Sequence, residues 1–165
     1  MPNLPRYEIL DQQDPRWALI KLGSSQRTVG HDGCAFVSAI NAANWFYGGI
    51  KFTPDMLATN AALFTDANYP RGAGLVLWER LCAALGNLRY LGAEFRENDA
   101  AIGAAIASPN KAAILNVNGG AHFVLAWHRP LWGNDFVVAD PWTGSKCWAK
   151  GRWHNIVGAR YLLHV

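Results

Sequence analysis

Three residues of this chain have types that can do chemistry together. Cys34 opens the run GCAFVSAINAANWFYGG (Gly33–Gly49), His122 follows Gly119-Gly120-Ala121, and Asp140 ends VVAD just before Pro141. A thiolate is a nucleophile, and it is favoured by the positive end of a helix and by a neighbouring imidazolium. A histidine beside it holds the proton and returns it to a leaving amine, while a carboxylate fixes the tautomer and orientation of the ring. Cys34, His122 and Asp140 in that order suit acyl transfer through a thioester. The plain alternatives are a small core cysteine, a satisfied strand histidine and an Asp-Pro turn opener.

The elements that would have to position these groups are legible in outline. Proline at positions 2, 5 and 15 and the turn formers of LGSSQRTVGHDG give the first thirty residues a loop-like texture. Asp32 or Gly33 can cap a helix carrying Phe36, Val37, Ile40, Ala43 and Tyr47 at helical period, which Gly48 and Gly49 end. Small or apolar residues on its other positions predict a central, buried helix. Further helices are predicted from Thr53 to Ala62, over 74–85 and from Asn98 to Ala107. After Pro109 the segments 112–117, 121–128, 135–140 and 155–165 are short, apolar and rich in β-branched residues, with turns between them. Helices first and strands later predict an α+β layer fold with an antiparallel sheet. Antiparallel pairing would put His122 and Asp140 on neighbouring strands.

Bulk properties narrow the function. The 165 residues read as one domain, 1–165, with 51% hydrophobic residues and 16% charged, which argues against general disorder. A net charge of +3 falls short of the basic stripe of a dedicated nucleic-acid binder. The three cysteines, Cys34, Cys82 and Cys147, are not at CxxC spacing and suggest neither a zinc site nor a disulfide scaffold. His31 with Cys34 supplies too few ligands for a closed zinc site. No cofactor and no metal is expected. No apolar stretch is long enough to cross a bilayer. No secretory signal is visible in MPNLPRYEILDQQDPRW, so cytoplasmic synthesis is expected, with release by lysis or association with a virion left open.

The segment from Gln12 to Gly49 resembles the N-terminal signature of C39-like cysteine peptidases of the papain-like superfamily. Those read Q-x-D-x-R-W, then T-[IV]-G-x-x-G-C-A-x-x-S, then a helix ending in Y-G. GGAHFVLAW (Gly119–Trp127) is similar to their histidine strand and VADPWTG (Val138–Gly144) to their D-P-x-x-G turn. The resemblance implies a papain-like fold, with a helical N-terminal part and a central cysteine-bearing helix packed on a C-terminal antiparallel sheet. It implies a cysteine peptidase of bacterial or phage type, with Cys34 as nucleophile, His122 as general base and acid, and Asp140 as orienting residue. The family also uses an upstream glutamine to hold the oxyanion. Gln12 sits where the motif puts it, with Gln13 and Gln26 as rivals.

The expected substrate is a peptide, either a peptidoglycan stem peptide or cross-bridge or a protein. Of eight tryptophans, Trp132, Trp142 and Trp148 lie in or beside turns near the proposed site and could line a groove; Trp142 and Trp132 are the substrate-binding candidates. The cationic and aromatic stretch from Lys146 to Trp153 reads as a solvated hairpin edge. Two other functions fit the same residues. One is an acyl-transfer enzyme in which an amine outcompetes water. The other is a non-catalytic binding module, in which Cys34 would show ordinary thiol reactivity.

Overall fold

The computed structural model describes residues 8–65 and 75–165. Its elements are α1 (Val29–Asp32), α2 (Cys34–Tyr47), α3 (Pro54–Leu57), α4 (Trp78–Leu85), β1 (Leu88–Glu94), α5 (Asp99–Ala107), β2 (Lys111–Val117), β3 (His122–His128), β4 (Val137–Asp140), β5 (Ser145–Trp148), α6 (Ala149–Trp153) and β6 (Ile156–His164). The strands form one sheet in the order β1-β6-β2-β3-β4-β5, antiparallel at every pairing. The architecture is α+β with a six-stranded antiparallel sheet, and no helix among the described residues is long and apolar enough to cross a membrane.

Both faces of this sheet are covered, and side-chain alternation assigns them. Ile114, Leu125, Ala139 and Leu162 join a core with Phe36, Val37 and Ile40 of α2 and Leu81 and Leu85 of α4. Their neighbours Leu115, Val124, Val138 and Ala159 join a second core with Ile102 and Ala105 of α5 and Ala149 of α6. A period of two along each strand thus serves two helical layers, so the strands read as continuous apolar runs.

Helix α2 is apolar on almost every side because it lies between the sheet and the other N-terminal helices. Phe36, Val37, Ala39, Ile40, Ala42 and Ala43 are all fully buried, and a side chain the size of Phe or Ile contributes about 1.5–3 kcal/mol when so buried. Its polar residues are buried too, and each finds backbone: Asn41 Oδ1 accepts from Leu10 N–H at 2.9 Å, and Asn44 Oδ1 accepts from Phe52 N–H at 2.9 Å. Gly48 ends the helix in the left-handed conformation, φ +74°, and its N–H donates to Asn44 and Trp45 carbonyls.

Several expected boundaries differ. The helix expected from Thr53 to Ala62 is one turn, Pro54–Leu57, followed by a 3-10 turn at Ala61–Leu63. Asn60 breaks it, because its side chain accepts the Ala62 N–H and caps a new turn. The helix expected over 74–85 begins at Trp78; residue 74 lies outside the described residues, as do Pro2 and Pro5. Asp32 does not cap α2 but closes α1, a turn capped by Thr28, and Gly33 without a side chain stands at the cap. Strand β1 pairs with β6 at an edge and was not expected, since Arg89 and the paired glycine Gly92 mask its alternation.

Candidate active site

Gly33 explains how a cysteine comes to head α2. A Cβ on Gly33 would lie 2.4 Å from the Val29 carbonyl oxygen and 2.9 Å from Val29 Cα, so the chain can pass from α1 into α2 only through glycine there. Cys34 then occupies the first turn, whose N–H groups have no partner within the helix. One turn on, Ser38 Oγ donates to the Phe123 carbonyl at 3.2 Å, which ties the start of α2 to the start of β3. The residue before Phe123 is His122. The helix and the strand are thereby fastened beside the two reactive groups.

Register brings the aspartate in. In the β3–β4 pair Leu125 faces Ala139, so continuing the ladder sets Asp140 opposite Val124 and one diagonal step from His122 on the same face. A diagonal of about 7–8 Å is within reach of long side chains. His122 Nε2 donates to Asp140 Oδ1 at 2.7 Å, and Oδ1 also accepts the Trp142 backbone N–H at 2.9 Å. With Nε2 engaged, Nδ1 is the nitrogen left for Cys34, whose side chain interacts with the ring. The indole of Trp153 leans on the imidazole with centroids 5.5 Å apart.

The electrostatics of the pair run in one direction. Burial opposes a charge on His122, but the hydrogen bonds to Asp140 and Cys34 and the negative charges beside it outweigh burial and push the imidazole up to about 9. Burial alone would raise the Asp140 carboxyl; the bonds from His122 and Trp142 and the charge of Arg152 hold it below the usual carboxylate range. The geometry therefore favours an imidazolium held by a carboxylate next to a thiol. Cys82 differs: it is buried in the core on α4, and desolvation pushes its thiol up to about 12. Cys147 is also raised by burial, with Arg152 pulling the other way.

These side chains line a cavity of about 280 Å³, which Gln12, Cys34, His122, Asp140 and Trp142 share. Gln12 is fully buried, and its backbone N–H donates to the Pro141 carbonyl at 2.7 Å. The N-terminal segment thus straps across the aspartate turn. The Gln12 amide nitrogen donates to the Gly30 carbonyl at 2.9 Å and, more weakly, to the Val29 carbonyl at 3.4 Å. Its Oε1 is buried without a hydrogen-bond partner among the described residues. The rivals are elsewhere: Gln13 is exposed and donates to the Gly30 carbonyl, and exposed Gln26 accepts from Lys21 Nζ at 2.7 Å. Neither lines the cavity. Trp142 stands at its edge, half-exposed, whereas Trp132 is 89% exposed on the β3–β4 connection and takes no part in the lining.

Sequence reasoning missed Arg152 and Trp153. The stretch 146–153 is not only a solvated edge: it forms β5 and then α6, which turns back over the site. Arg152 Nη1 lies 3.1 Å from Asp140 Oδ2. The signal was the short tight turn after Asp140, where the Thr143 and Gly144 N–H groups both return to the Asp140 carbonyl. Such a turn obliges the next residues to lie alongside the aspartate. Among the described residues no three His, Cys, Asp or Glu side chains gather in a way that could hold a metal ion. Comparison with protein-family models, with curated proteins and with solved structures finds no match to this chain.

Proposed function

We propose that the protein is a thiol hydrolase of papain-like arrangement that cleaves an amide bond through a Cys34 thioester. The observation that carries this reading is the imidazole of His122, which is bonded on one side to a buried carboxylate at 2.7 Å and turned on the other to the thiol at the head of α2.

In the proposed reaction the Cys34 sulfur, as thiolate, attacks the carbonyl carbon of the scissile amide. The C–S bond forms, the carbonyl electrons move onto oxygen, and the oxyanion is met by N–H donors. The Cys34 backbone N–H and the Gln12 amide, whose longer bond to the Val29 carbonyl must yield to the oxyanion, are the donors for that role; donors of this kind contribute a large part of such catalysis. As the carbonyl re-forms, the C–N bond breaks and the departing nitrogen takes the proton held on His122 Nδ1. Water then adds to the thioester and gives its proton to the same nitrogen, and the carboxylic acid leaves as sulfur is expelled. Asp140 keeps the ring oriented throughout.

The substrate is a peptide, and peptidoglycan peptides and an unfolded protein are the first to test. Purified peptidoglycan and casein are incubated with the protein and with Cys34→Ala, and new amino termini are counted and sequenced by mass spectrometry. Cleavage of either substrate by the parent and not by the variant supports the reading. Equal yields from both proteins, or no new ends together with no covalent acyl adduct on Cys34 from an activated ester, overturn it.

A further inference from the structure

The cavity holds a cation that the proposed chemistry does not consume. Of the charged side chains that line it, the carboxylate of Asp140 is fully buried and already occupied by His122 and Trp142. The Arg152 side chain, by contrast, is 42% exposed. His31, at the other side of the lining, is paired with Asp32 at 3.0 Å. The charge offered to a ligand is therefore positive and comes from Arg152.

Arg152 is also held in place before any ligand arrives. Asp135 receives the backbone N–H groups of Lys150 at 2.7 Å and Gly151 at 2.9 Å, fixing the turn of α6. Lys150 Nζ bonds to Glu97 at 2.7 Å and Asp99 at 2.6 Å, pinning α6 to the start of α5. The guanidinium lies over the Trp153 ring at 5.1 Å. Yet its contact with Asp140 is ionic rather than an aligned hydrogen bond, since Asp140 Oδ2 has no hydrogen-bond partner among the described residues. A guanidinium has five N–H donors in a rigid fork suited to a carboxylate; this one meets Asp140 and the Cys147 thiol and keeps further donors for a ligand.

We infer that Arg152 selects substrates that carry a carboxylate within about two residues of the scissile amide. The inference rests on the hydrolase reading. Arg152 shares the cavity lining with Cys34 and His122, so a carboxylate bound to it lies close to the scissile amide. The carboxylate is an acidic side chain or a free C-terminus, and it binds the outer edge of the guanidinium while Nη1 stays near Asp140. Arg152 is then a specificity-determining residue.

The test is a peptide library randomised on both sides of the cleaved bond, with cut sites read by mass spectrometry, followed by a matched synthetic pair differing only as carboxylate or carboxamide within about two residues of the cleaved bond. The parent should prefer the carboxylate by about 10- to 100-fold in kcat/KM, mostly through KM, as expected for a charge-assisted pair. Arg152→Gln should bring that ratio close to one, whatever it does to the absolute rates, and Arg152→Lys should restore part of it. Equal cleavage of the pair by the parent, or a preference retained in Arg152→Gln, would each overturn the inference and leave the hydrolase reading standing. No cleavage of any peptide and no acyl adduct on Cys34 would remove both.

Discussion

Replacing Asp140 by asparagine should lower the titration of His122 from about 9, because burial then acts on the ring with only Cys34, and not the carboxylate, to oppose it. The gap between the ordinary 6.5 and about 9 corresponds to about 3 kcal/mol favouring the protonated form in the folded protein. The ring is only 11% exposed, so solvent screening removes little of this. The sign follows from linkage. A folded-state midpoint raised above the unfolded value contributes stability that is fully present below about pH 6.5 and is lost as pH rises through about 9. The Cε1–H resonance of His122 followed by NMR gives the midpoint directly, and urea unfolding at pH 6.5 and pH 9.5 gives the stability difference. In the parent, His122 should lose about 3 kcal/mol of its contribution across that window; in Asp140→Asn the loss should be smaller. A parent midpoint near 6.5, or a midpoint still near 9 in the asparagine variant, would refute the reasoning.

Other substitutions test the supports around the site. Gly33→Ala must displace the Val29 carbonyl from 2.4 Å; it should cost about 1–3 kcal/mol in urea unfolding and reduce Cys34 reactivity, since α1 and α2 can no longer meet at the same angle. Gln12→Ala should lower kcat by about 10²- to 10³-fold with a smaller change in KM, measured on whichever peptide the parent cleaves. Trp142→Ala should raise KM, while Trp132→Ala, on a side chain 89% exposed outside the cavity, should leave both constants within about twofold.

What the sequence made legible follows from which forces are local. The long helix Cys34–Tyr47 and its glycine stop were readable because period and capping are local. The same holds for α5, where Asn98 accepts the Ala101 N–H as the cap. The antiparallel sheet was readable in kind. Its order was not, because β1 and β6 lie far apart in sequence and their pairing is settled by packing. The cysteine, histidine and aspartate could be named from residue type and context. Their meeting depends on the β3–β4 register and on the Ser38–Phe123 bond, neither of which has a sequence signal. Arg152 stayed hidden because a cation among aromatics on a turn resembles any solvated edge until the turn of α6 is seen to fold it onto Asp140.

Three free thiols in the same molecule, Cys34, Cys82 and Cys147, allow the most direct comparison. Iodoacetamide at pH 6, with the modified cysteine identified by mass spectrometry, measures their relative rates. Cys34 should be alkylated at least about tenfold faster than Cys147, and Cys82 should stay inert. The pairing of Cys34 with His122 also requires that His122→Ala abolish the advantage of Cys34. Equal rates for Cys34 and Cys147 in the parent, or a Cys34 rate unchanged in His122→Ala, would contradict it.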